Sequence, residues 1–142
     1  MRVFFDSSAF AKRYILEPGS AEVQAWCERA SELALAVIAV PELISAFCRL
    51  RREGRITPAH YRQIKHDFMH DISDALICEI TPAVVQAAVK ALESQPLRGM
   101  DALHLGAASA CEAAVFVSAD ARQCHAAEAL GLKVALNWVR AT

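Results

Sequence analysis

Short apolar runs that do not alternate with polar residues most constrain what this chain can become. "VFF" at 3–5 is one, "LALAVIAV" at 33–40 another, and "AVFVSA" at 114–119 a third. A strand with one face in water alternates, so runs of this kind read as strands buried on both faces of a sheet. The segments between them carry apolar residues at helical spacing, and strands alternating with helices imply a mostly parallel sheet covered on both sides, joined by right-handed crossovers.

Helix signals fix the order of the elements. "SSAFAKRYILEPG" reads as a short helix stopped by Pro18 and Gly19, and "SAEVQAWCERA" as a second with Val23, Trp26 and Cys27 on one face. Pro41 opens "PELISAFCRLRREG", with Leu43, Phe47 and Leu50 on one stripe and Gly54 as its stop. Thr57–Pro58 and Thr81–Pro82 each place a capping hydroxyl before a proline, opening helices whose stripes include Tyr61, Ile64, Phe68 and Ile72 in the first case. "ALICEI" is a further strand, "MDALHLGAASACEA" an alanine-rich buried helix, "ARQCHAAEAL" a helix closed by Gly131, and "KVAL" a fifth short strand. The expectation is one α/β domain over residues 1–142, a three-layer α/β/α sandwich around a central, mostly parallel five-stranded sheet.

Composition narrows the function. The 142 residues are 55% hydrophobic and 22% charged, which suits a globular core and excludes a disordered chain. No apolar stretch is long enough to span a bilayer and the N-terminus lacks a signal-peptide pattern, so the expected location is the cytoplasm, with no membrane partner. Five cysteines without CxxC spacing suggest neither a disulfide framework nor zinc. With 15 basic and 16 acidic residues, bulk charge does not point to nucleic acid, and any such partner needs a local basic patch.

The acids carry more information. Asp6 ends the first strand, Glu42 follows the second, Asp101 starts the helix that feeds the strand "AVFVSA", and Asp120 ends that strand. In open parallel sheets ligands bind beyond the carboxyl ends of the strands where strand order reverses, so adjacency of the first and fourth strands would gather all four. Each alone serves equally as a helix cap or dipole partner. A convergent set is different: carboxylates 4–8 Å apart repel by roughly 2–4 kcal/mol per pair at an effective dielectric near 20, which calls for a cation or a bound proton. Oxygen ligands without paired Cys or His favour Mg²⁺ or Mn²⁺, and such an ion suffices for phosphodiester hydrolysis. Ser118, Ser7 and Ser8 stand where their hydroxyls can orient these carboxylates or cap the following helices.

These segments resemble the PIN domain, and within it the VapC-type toxins of toxin–antitoxin pairs. "VFFDSSAFAKRYILEPGS" is similar to the family's opening strand and first acid, "AVIAVPELISAFCRLRREGRIT" to the helix bearing its glutamate, and "LRGMDALHLGAASACEAAVFVSADARQCHAAEALGLKV" to its DALHLA segment and T-x-D turn. The resemblance covers nearly the whole chain. It implies a metal-dependent endoribonuclease, typically a homodimer, held inactive by a VapB-type antitoxin. Its acids fall on Asp6, Glu42, Asp101 and Asp120, with Ser118 in place of the frequent threonine. Two departures stand out: Gly106 replaces a common alanine, allowing closer helix packing, and no hydroxyl at Val37 or Ile38 supports Glu42.

His66 and His70 in "HDFMHD" have the i, i+4 spacing of a helical metal pair, but a polar helix face explains them and no third ligand is evident. His104, one turn past Asp101, reads as a hydrogen-bonded buried histidine that could line the cleft. Arg98, Arg122 and Lys12 are candidate RNA phosphate contacts; Arg49, Arg51, Arg52 and Arg55 are explained as well by a solvated, dipole-favoured helix end. Trp26 and Trp138 read as packing residues before base-stacking ones. Apolar positions at Leu43–Leu50 and Tyr61–Phe68 could form a protein-binding or dimer surface or ordinary core. Two competing functions are a non-catalytic PIN-fold module that binds RNA or protein, and a phosphatase with a strand-terminal aspartate nucleophile. The latter generally needs a second aspartate two residues on, where this chain has Ser8.

Overall fold

Residues Arg2–Phe5 form β1, and Val3, Phe4 and Phe5 are fully buried, as their lack of alternation requires. The computed structural model describes residues 1–135. Asp6 ends the strand and caps the four-residue helix α1 (Ser7–Phe10), which tightens into a 3₁₀ turn at Ala11–Arg13. There follow α2 (Ser20–Arg29), β2 (Glu32–Ala36), α3 (Ala39–Arg52), α4 (Pro58–Ser73), β3 (Leu76–Cys78), α5 (Pro82–Ser94), α6 (Gly99–Ala110), β4 (Val115–Val117) and α7 (Ala121–Ala129). Thr57 and Thr81 cap α4 and α5 through their hydroxyls, each with proline in the first helical turn.

The strands pair in parallel in the order β3-β2-β1-β4. The chain therefore builds outward from β1 to β3, then crosses back to lay β4 on the other side of β1, making the β1/β4 junction the point of reversal. Among the described residues the sheet has four strands, one fewer than expected. At the fifth position a single parallel bridge joins Phe116 to Val134, through Phe116 N–H to the Lys133 carbonyl (2.7 Å) and Ala135 N–H to the Phe116 carbonyl (3.2 Å). β4 is three residues long and offers an outer neighbour few rungs. Leu136 of the expected strand, and Trp138, lie outside the described residues.

A second difference concerns the approach to Glu42. The run "LALAVIAV" leaves the sheet at Ala36, and α3 starts at Ala39, two residues before Pro41. Proline is tolerated there because the first N–H groups of a helix have no partner within it. Glu42 consequently sits in the first turn, with its N–H bonded to the Ile38 carbonyl (3.2 Å).

One face of the sheet is covered by an aromatic cluster that fixes α1, α3 and α4 together. Tyr14 lies 5.6 Å from Phe10 and 5.8 Å from Phe47, and Phe47 lies 6.1 Å from Phe68, ring centre to ring centre. Leu43, Phe47, Tyr61, Ile64 and Phe68 are all buried in this core, so these positions of the stripes are interior, while Leu50 is half-buried. Each such side chain stabilises the fold by about 1.5–3 kcal/mol. The opposite face holds Phe4, Phe116, Val84 and Leu105, where α5 and α6 meet the sheet. Gly106 permits their close approach: a Cβ at this position would stand 2.6 Å from the Val84 carbonyl oxygen.

Candidate active site

Because β2, β1 and β4 are neighbours, their exits share one edge of the sheet. Asp6 at the end of β1 is 2% exposed. Its Oδ1 accepts hydrogen bonds from the Ala9 amide (2.9 Å) and the Ser8 hydroxyl (2.8 Å), and its Oδ2 lies 2.6 Å from Ser118 Oγ at the exit of β4. Burial pushes its pKa above the ordinary carboxylate range, opposed by the bonds from Ser118, Ala9 and Ser8 and by the nearby His104. An acid held this dry favours a proton or a counter-cation.

Glu42, one turn into α3, is gripped by two residues from other elements. Ser7 Oγ donates to its Oε1 at 2.8 Å, and His104 Nε2, on α6, lies 2.7 Å from the same atom. The histidine hydrogen bond is the main cause that holds the Glu42 carboxyl below its usual pKa, with Ser7 adding to it and partial burial opposing. Donation to the carboxylate puts a proton on Nε2; in a neutral ring Nδ1 is then a lone pair, and it is buried with no partner among the described residues. The support that Val37 and Ile38, in the turn between β2 and α3, do not offer thus comes from Ser7 and His104.

Asp120 caps α7 by accepting from the Arg122 amide (2.9 Å), while its own amide donates to Ser118 Oγ (3.0 Å). Asp101 is half-buried in the first turn of α6. Its backbone is tied to the site by Gln123, whose Nε2 donates to the Asp101 carbonyl at 3.0 Å and whose Oε1 lies 3.1 Å from Ser118 Oγ. Gln123 escaped the sequence reading because nothing local distinguishes it from a surface residue of an amphipathic helix. Its position five residues after Ser118, one turn into the helix that Asp120 caps, was the available signal.

All four acids present hard oxygens, the donor chemistry that suits Mg²⁺ or Mn²⁺. Among the described residues, however, no three His, Cys, Asp or Glu side chains are grouped as a set of metal ligands. Ser7 and His104 draw Glu42, and the cap of α7 engages one oxygen of Asp120. The donor set fits a hard divalent ion in kind, and a closed cage is not preassembled.

A groove of about 800 Å³ opens beside the acids, lined by Ser7, Glu42, Lys12, Leu50, Arg49 and Arg55 among others. Arg98 and Arg122 are exposed but do not line it. Lys12 Nζ bonds Glu17 (3.2 Å) and the Pro18 carbonyl (2.8 Å) at the groove wall. The basic residues of the groove are therefore partly those of the α3 end, Arg49 and Arg55, which the sequence alone explained by the helix dipole. His66 and His70 are exposed on α4 in a separate depression with Arg62, Lys65 and Met69. Trp26 is half-buried against the aromatic core, with the Arg29 guanidinium 4.3 Å from its ring centre.

An open parallel sheet with its reversal point at β1/β4 and acids at the strand exits defines a class of α/β domain with an acidic edge site. A PIN domain family model matches residues 3–129, and the chain belongs to that family. It is 30% identical over 135 residues to "Ribonuclease VapC45" of Mycobacterium tuberculosis, covering 94% of each chain. The fold superposes on "FitAcB from Neisseria gonorrhoeae" with a TM-score of 0.69, at 14% identity over 93% of this chain and 95% of that one. It also superposes on Mycobacterium tuberculosis VapC20, described as a "Sarcin-Ricin loop cleaving toxin", with a TM-score of 0.64 at 12% identity, covering 87% and 94%. At such identities these two likenesses concern the fold.

Proposed function

We propose that this chain is an endoribonuclease of the VapC type, the toxin of a toxin–antitoxin pair, hydrolysing RNA phosphodiester bonds with Mg²⁺ or Mn²⁺. The observation that carries the reading is the buried Asp6 carboxylate at the β1 exit, in a chain 30% identical to a ribonuclease over 94% of its length. A residue that served only as a cap for a four-residue helix would gain nothing from being desolvated.

Asp6, Glu42, Asp101 and Asp120 are the residues that would hold the ion. When bound, it supplies Lewis-acid polarisation of a phosphate oxygen. The chain's own work is orientation: Ser8 and Ser118 fix both oxygens of Asp6, and Ser7 with His104 fixes Glu42. The groove along α3 offers Arg49, Arg55 and Lys12 to phosphates of a bound strand, with apolar wall between them for bases. Arg98 and Arg122, exposed beside Asp101 and Asp120, add positive charge near the acids.

The partner is a cognate antitoxin; "VapBC2 from Rickettsia felis", bound to a DNA fragment from its promoter, has the same fold at a TM-score of 0.67 and 12% identity. A homodimer is part of the proposal, supported by the exposed apolar stripe Val85, Val89 and Leu92 on α5. No helix among the described residues is long and apolar enough to cross a membrane.

The test is cleavage of a mixed panel of structured RNAs by purified, partner-free protein with Mg²⁺ or Mn²⁺ and with EDTA, beside Asp6→Asn. Cutting that needs both metal and Asp6 is the expected result. A folded protein that binds Mn²⁺ no better than Asp6→Asn, and cuts nothing, would leave the acids as helix caps.

A further inference from the structure

We infer that Gln123 is a positioning residue of the acidic site, a clamp that holds the Asp101 end of α6 against the Asp6–Ser118 pair. The proposal rests on the nuclease reading for its catalytic consequence and on geometry for the clamp itself.

Gln123 is 1% exposed, on α7, in the interior behind the acids. A long amide side chain loses rotamer freedom when fixed, and an apolar residue of the same size would fill the space at lower desolvation cost. Its retention asks for a polar task, and both ends have one. Nε2 donates to the Asp101 carbonyl at 3.0 Å, and Oε1 faces Ser118 Oγ at 3.1 Å.

The orientation of the amide is forced. A carbonyl oxygen can only accept, so the amide must turn its N–H₂ toward Asp101 and its oxygen toward Ser118. A flipped amide would set two acceptors face to face. Ser118 has one hydroxyl hydrogen and two acceptors within reach, Asp6 Oδ2 and Gln123 Oε1, while it accepts from the Asp120 amide. Gln123 thus competes with Asp6 for that hydrogen and is joined through Ser118 to Asp6 and Asp120, and directly to the backbone of Asp101.

The consequence concerns α6. Asp101 stands in its first turn, where the N–H groups have no partner within the helix. Gln123 ties that turn to the exit of β4, which pairs with β1 in register from Val3–Val115 to Phe5–Val117. Beside the packing of α6 through Leu105 and Ala108, one amide bridge across three elements thus ties the Asp101 turn to the exits that carry Asp6 and Ser118.

The test compares wild type with Gln123→Met, which keeps the length and most of the volume but neither polar end. Three readouts are taken: amide hydrogen exchange across the chain without metal, Mn²⁺ affinity, and kcat and KM on an RNA that wild type cuts. A clamp predicts faster exchange confined to Ala102–Leu105, Mn²⁺ binding weakened about tenfold, and kcat down about tenfold or more with KM unchanged, the range found for residues that orient metal-site acids. Exchange raised uniformly, an unfolded variant, or Mn²⁺ affinity and kcat equal to wild type would each overturn it and leave Gln123 as core support. If wild type itself neither binds Mn²⁺ nor cuts RNA, the nuclease reading fails, while the local exchange pattern still decides whether the clamp exists.

Discussion

Ser118 Oγ stands 2.6 Å from Asp6 Oδ2, linking the exits of two strands 112 residues apart in sequence. The bond crosses the β1/β4 junction where strand order reverses, so it joins the topology of the sheet to the chemistry of its edge.

Ser118→Ala removes this bond and leaves Asp6 with a desolvated oxygen short of one donor. A hydrogen bond to a charged or buried acceptor contributes about 1.5–3 kcal/mol, and the variant is expected to lose stability in that range. RNA cleavage should fall about tenfold, since the acid is no longer fixed. Ser118→Thr, which keeps the hydroxyl, is expected to recover most of both. Urea unfolding and initial cleavage rates measure the pair; an alanine variant as active as wild type would mean that Asp6 needs no orienting.

Asp6→Asn should abolish cleavage without weakening the fold at neutral pH. A carboxyl whose pKa is raised on folding, here by burial, binds its proton more tightly in the folded state. Its contribution is present below the ordinary carboxylate range and is withdrawn as pH rises through the raised value. The asparagine has no charge to withdraw, and its amide can donate to Ser118. The stability of Asp6→Asn relative to wild type should therefore climb as pH rises from the ordinary carboxylate range through the raised value. A flat difference in unfolding free energy across that interval would refute the desolvation argument.

Glu42→Gln should show the opposite slope. The His104 hydrogen bond lowers the Glu42 pKa, so its ionisation adds stability above the ordinary carboxylate range, and that part is lost as pH falls through the lowered value. The wild-type advantage over Glu42→Gln should be largest at neutral pH and vanish on acidification. Two acids of one site with opposed pH trends are diagnostic, because a general effect of charge removal would give both variants the same sign.

How much of this was legible in the sequence differs by element. The buried strands announced themselves through "VFF" and "AVFVSA", and the caps at Thr57 and Thr81 through the proline that follows each. Both signals are local, and local signals survive folding. The start of α3 was misplaced because Ala39 and Val40 suit a strand or a first helical turn equally, and tertiary contact decides. The burial of Tyr61 and Phe68 depended on which neighbour the α4 stripe meets, information carried by Phe10, Tyr14 and Phe47 far away in the chain. At the site, the places of Asp6 and Asp120 just past β1 and β4, and of Glu42 and Asp101 in first helical turns, followed from local patterns. The partners of Glu42 and the role of Gln123 did not, since Ser7, His104 and Gln123 each act across long sequence separations that no spacing rule encodes.

Gly106→Ala is expected to destabilise the protein although alanine is the better helix former. Helix propensity alone would favour the substitution by about 1 kcal/mol. The added Cβ, however, would lie 2.6 Å from the Val84 carbonyl oxygen, 3.3 Å from Val84 Cγ1 and 3.4 Å from the Ala88 amide nitrogen, and the first of these is backbone that no rotamer change can move. Separating α5 from α6 to relieve it disturbs Val84, Ala88 and Leu105, all buried, and overpacking of this kind costs about 1–3 kcal/mol. The clash outweighs the propensity gain, for a net loss of up to about 2 kcal/mol. The urea midpoint should drop accordingly. A midpoint at or above that of wild type would mean that α5 yields without cost and that Gly106 has no packing role.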